Sequence, residues 1–105
     1  METQFTIQLT DNDRIFVEFK TIRGKVETFI VKLICDIHSH SYEVMRFDGA
    51  HGSPHKDILD SSGNVIRKVW YDYLSKSQAL KMAIDDIEDN YNFYKERFMT
   101  WLRTN

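Results

Sequence analysis

Between residues 75 and 102 the chain has no glycine or proline, and Leu80, Ile84, Ile87, Tyr91, Tyr94, Phe98 and Trp101 recur at intervals alternating between four and three. That is the period of one helix face, so the last third of the chain is expected to be a single helix over about 76–103. At its start "SKSQ" sets Ser75 three residues before Gln78, the spelling of a capping box at a helix N-terminus. A helix of that length measures about 40 Å, whereas strands of five to nine residues measure roughly 17 to 30 Å. Its distal end should therefore overhang a sheet, and Tyr94, Phe98, Trp101 and Leu102 are expected to contact a second copy or a protein partner. The competing reading of the same stripe is the core face of the domain's one helix. Asp85, Asp86, Glu88 and Asp89 mark the solvated side.

The sequence before residue 75 has the other period. "FTIQL" alternates apolar and polar residues, "TDND" supplies turn chemistry, and "RIFVEFKTI" puts Ile15, Val17 and Phe19 on one face. Arg23-Gly24-Lys25 interrupts the pattern, and "VETFIVKLICDI", rich in β-branched residues, reads as the most buried strand. "SHSYEVMRFD" and, after the turn "SSGN", "VIRKVWYDYL" complete the set. Such short connections favour a meander. The expected fold is α+β: one domain spanning 1–105, with an antiparallel β-meander of four to five strands over about 4–74 and the helix packed on one face. With 105 residues, of which 42% are hydrophobic, the chain can bury one core but not two.

A formal net charge of -2 excludes a protein that coats nucleic acid by bulk charge, while leaving room for a local basic groove. Cys35 is the only cysteine, so neither an intrachain disulfide nor a thiolate zinc cage is available. No stretch has the roughly 18 apolar residues of a membrane span, and "METQFTIQLTDNDR" lacks the basic and apolar regions of a secretion signal. A soluble, cytoplasmic protein is expected.

The chemistry is concentrated in "RFDGAHGSPHKD", residues 46–57. Its glycines and proline read as a bent loop. Arg46 and Asp48, two apart, share a face at a strand end, where the guanidinium can hold a phosphate or pair with the carboxylate. His51 and His55 are suited to acid–base cleavage of RNA: one removes the 2′ proton, the other protonates the leaving 5′ oxygen. Arg46 and Lys56 would contact phosphate, and Asp48 or Asp57 would orient a histidine. No cofactor is then needed, although His51 and His55 with an aspartate could instead hold a divalent metal. His38 and His40 would join them if their strand end lay beside the loop. The alternative is a structural turn capped by the aspartates, with a noncatalytic protein binding a partner or itself through the aromatic helix.

At "MRFDGAHGSPHKDIL" and "GNVIRKVW" the chain resembles small prokaryotic families with an Arg-x-Asp-x-Ala-His-Gly-x-x-His-Lys/Arg-Asp signature, similar to the toxins of toxin–antitoxin pairs on mobile elements. Arg46, Asp48, His51, His55, Lys56 and Asp57 match that signature. The resemblance implies an RNA-directed, growth-inhibiting nuclease neutralised by a cognate antitoxin. The alternative class is an antitoxin, immunity or accessory subunit, and in either case a homodimer is expected.

Overall fold

A computed structural model of the chain describes residues 1–50 and 52–104. The architecture is α+β: a six-stranded antiparallel sheet whose spatial order follows the sequence, and one C-terminal helix. The strands are β1 (Glu2–Gln8), β2 (Asp13–Ile22), β3 (Lys25–Ile37), β4 (His40–Asp48), β5 (His55–Leu59) and β6 (Val65–Trp70), followed by α1 (Lys76–Thr104). The expected four to five strands thus become six. The additional one is β5, five residues that begin directly after Pro54 and carry charge toward the sheet interior. "RFDGAHGSPHKD" is accordingly a β-hairpin, two strand ends joined by residues 49–54, rather than a free loop.

Turn chemistry fixes the meander. Arg23 and Gly24 both have positive φ, as do His38 and Ser39, which is the two-residue hairpin geometry whose twist matches the flanking strands. At the β5–β6 connection the Asp60 carboxylate accepts from the backbone N–H groups of Ser62 and Asn64, tying the turn from within.

The helix begins where the capping box puts it. The Ser75 hydroxyl accepts from the Gln78 backbone N–H at 3.1 Å, and the Gln78 side-chain oxygen accepts from the Ser75 N–H at 2.9 Å. Its 29 residues span about 43 Å. It does not overhang, because β3 has 13 residues and reaches about the same length. The expected interface therefore changes character: Tyr94 and Phe98 are buried, and Trp101 and Leu102 pack partly buried against the core. Ala79 and Ala83, both fully buried, let the first turns approach the sheet closely. Opposite them lie Ile15, Val17, Phe29, Val31, Leu33, Cys35, Met45 and Phe47. Burial and the neighbouring Asp13 carboxylate push the Cys35 thiol far above its usual range, so it behaves as a core side chain. Among the described residues no helix is long and apolar enough to cross a membrane.

Candidate active site on the open face of the sheet

Because strand side chains alternate, the strands that bury Met45, Phe47 and Ile58 under α1 present a second, helix-free face. Register determines what meets there. Lys32, Arg46, Asp57 and Lys68 lie in one row across β3–β6, and Ile30, Asp48, His55 and Trp70 lie in the next. His55 and Asp57, two apart on β5, share this face.

Asp57 is the centre. It is 2% exposed, yet it sits among three cationic or potentially cationic groups: Arg46 Nε at 3.3 Å and His55 Nε2 at 3.5 Å from Oδ2, and Lys68 Nζ at 3.6 Å from Oδ1. Its Oδ1 has no hydrogen-bond partner among the described residues. A buried carboxylate is tolerable only when opposite charges surround it, and here those charges exceed its own. Arg46 also reaches Glu43 at 3.4 Å, and Glu43 pairs with Lys32 at 3.1 Å, so a ladder of alternating charge crosses the strands.

His55 is held on two sides. Its Nδ1 lies 3.2 Å from the Ser53 carbonyl; a carbonyl only accepts, so Nδ1 carries the hydrogen and Nε2 is left for proton exchange. The Asp57 carboxylate lies on the other side of the ring, facing Nε2. Trp70 covers the imidazole with ring centroids 4.9 Å apart, and Lys68 Nζ lies 5.3 Å from the Trp70 ring. Trp70 nevertheless stays 53% exposed, leaving an aromatic surface next to the charged cluster.

The other candidates separate. The Asp48 carboxylate accepts the Ala50 backbone N–H at 2.7 Å and so shapes the hairpin loop. Gly49 is required in that loop: a Cβ there would stand 2.2 Å from the Phe29 ring. Lys56 does not join Arg46 as expected. It lies between His55 and Asp57 on β5 and so points to the helix side, where its Nζ is 3.5 Å from the Tyr94 hydroxyl. His38 and His40 sit at the far end of β4, a nine-residue strand, roughly 26 Å from Asp48, so neither joins His55. His51 lies outside the described residues. Among the described residues no group of three or more His, Cys, Asp or Glu side chains is arranged to hold a metal ion. Lys68 and Trp70 were not singled out from sequence; their signal is register against β5, invisible until that strand is recognised.

On the far side of residue Ala50 the open face deepens into a cavity of about 390 Å³ over β1–β3, lined by Gln4, Glu18, Lys20, Thr28 and Ile30. Gln4, Glu18 and Ile30 continue the row that contains Asp48 and His55, so the cavity begins about two strand spacings, roughly 10 Å, from the histidine.

No curated protein and no solved structure matches the chain. A family model described as a domain of unknown function, DUF7718, matches residues 1–104. With nearly every residue covered, the chain belongs to that family.

Proposed function

We propose that the protein is a small metal-independent phosphodiesterase acting on RNA, of the toxin-like kind its signature implies. The observation that carries this reading is the buried Asp57 carboxylate beside a histidine whose Nε2 is left for proton exchange, with Arg46 and Lys68 adding more positive charge than Asp57 neutralises. His55 would act as one acid–base group, with Asp57 orienting its ring. His51, four residues upstream, is assigned the second proton transfer on sequence grounds, either residue serving as acid or base. Arg46 and Lys68 would hold the scissile phosphate and stabilise the charge that develops on it. Trp70 offers a stacking surface for a base, and the cavity over β1–β3 gives room for a further nucleotide. Asp48 contributes by shaping the loop.

The test is incubation of labelled RNA with the wild type and with a His51→Ala, His55→Ala double variant, without added metal and with a chelator present. Cleavage by the wild type and its loss in the double variant is the expected result. Equal cleavage by both would sink the reading.

One observation favours a second, noncatalytic reading. β6 is an outer strand of the sheet, and Val65, Ile66 and Trp70 along it are 43%, 50% and 53% exposed. An outer strand of this kind is a template for pairing with another chain. Arg67 and Lys68 at its middle would face like charges in a β6–β6 pair, so an acidic strand from a cognate protein fits better than a second copy. Protection of the β6 amides from hydrogen exchange on adding such a partner would support it.

A further inference from the structure

A second cationic cluster lies on the opposite side of β5 and β6. Lys56 pairs in register with Val69, and Arg67 with the buried Ile58, so both side chains leave the sheet toward the side that carries α1. From the helix, Arg97 comes to the same place: its guanidinium lies 5.6 Å from the Tyr94 ring, and Lys56 Nζ lies 5.5 Å from that ring. Arg97 also stacks on Phe93 and Trp101 at 5.1 and 5.2 Å, the side-chain spacing of neighbouring helical turns. No ion pair engages Lys56, Arg67 or Arg97 among the described residues. The nearby carboxylate, Asp86, already accepts the Tyr94 hydroxyl.

The cluster therefore lacks anions. Arg97 Nε is buried and has no hydrogen-bond partner among the described residues, a costly state for a charged donor. Burial lowers the Lys56 ammonium below its ordinary range; Asp86 opposes this, and the charges of Arg97 and Arg67 add to it. Three cations against one carboxylate leave an excess that a singly charged carboxylate ligand would only half neutralise. A phosphate dianion matches it, and its several acceptor oxygens suit a planar guanidinium and an ammonium together. Phe93, 59% exposed, stands beside Arg97 as a surface on which a base could stack.

We propose that Lys56, Arg67 and Arg97 form a binding site for a phosphate group, between α1 and β5–β6 and separate from the His55 face. The phosphate is either free or part of a nucleoside monophosphate, and the titration separates the two. Calorimetry at low ionic strength is run on the full chain with inorganic phosphate, adenosine 5′-monophosphate, adenosine and acetate. Phosphate and the nucleotide should bind at least tenfold more tightly than adenosine or acetate. Tighter binding of the nucleotide than of phosphate assigns the site to nucleotides through Phe93, and equal binding assigns it to free phosphate. Arg97→Gln and Arg67→Gln should each weaken binding at least fivefold; Arg67 is exposed, so its variant leaves the fold intact. Lys68→Gln, which removes a phosphate contact of the His55 face, should keep the component of binding that the two arginine variants lose, and this distinguishes the site from the proposed active site. Acetate binding as well as phosphate, unchanged affinity in both arginine variants, or loss of that binding in Lys68→Gln would each overturn the proposal.

Discussion

The two faces of the β4–β5 hairpin are built from the same few residues and do opposite work. Toward α1 they present Met45, Phe47 and Ile58, all buried and apolar. Away from it they present Arg46, His55 and Asp57, charged and interlocked. Alternation along a strand lets one short segment supply core and chemistry together, and dispersion and burial on one side hold the ionic geometry on the other. Stability should therefore reside chiefly on the helix side and activity on the open side.

The largest effect is expected on the apolar face. Phe47→Ala removes a fully buried ring and should cost about 3 to 5 kcal/mol in denaturant unfolding; a loss below about 1 kcal/mol would mean that the hairpin does not anchor the core. On the charged face Asp57→Ala leaves Arg46, His55 and Lys68 without their shared carboxylate, but Arg46 keeps Glu43 and both cations reach solvent, so the cost should be about 1 to 3 kcal/mol. A neutral result there would show that the ladder is solvated and mechanically idle. Gly49→Ala, which drives a methyl group into Phe29, should cost about 1 to 3 kcal/mol, measured in the same way. Trp70→Ala, on the exposed rim, should change stability by no more than about 0.5 kcal/mol while weakening RNA binding, measured by fluorescence anisotropy; an unaltered RNA affinity would remove Trp70 from the site.

A pH titration sharpens the comparison from the helix side. Asp13 is buried and meets Lys95 of α1 at 2.8 Å. Burial alone would raise its carboxyl, but the hydrogen bonds from Lys95 and Thr10 outweigh it and hold Asp13 below the ordinary carboxylate range. A depressed folded value contributes stability that is fully present above the unfolded value and is lost as pH falls through the folded one. Urea midpoints should therefore drop on acidification below about pH 4, and Asp13→Asn should be less stable than the wild type at pH 7 and flatter in acid. Parallel curves for the two proteins would contradict the tie between β2 and α1.

The fold was legible where one period ran uninterrupted. The four–three spacing and the reciprocal Ser75–Gln78 cap place α1 to within a residue, because both are local. β5 was hidden because Pro54 precedes it and its five residues mix His, Lys and Asp with Ile and Leu, so charge obscured the alternation. Applied to "HKD", that alternation separates Lys56 from His55 and Asp57 and sends it to the helix side. Lys68 and Trp70 reach the site through antiparallel register across a five-residue turn region, which composition does not reveal. The overhanging helix failed for a different reason: β3 is longer than a typical strand, so its length matches α1 and the aromatic stripe is spent on the core.

The most direct test sets His55, which pairs with the last residue of β4, against His40 at the first, with RNA cleavage measured for His55→Ala and His40→Ala at equal folded concentration. His55→Ala should fall at least about a hundredfold, and His40→Ala, on an exposed strand end, should match the wild type. Equal rates for all three proteins, or an equal fall in both variants, would contradict a phosphodiesterase site centred on His55 and Asp57.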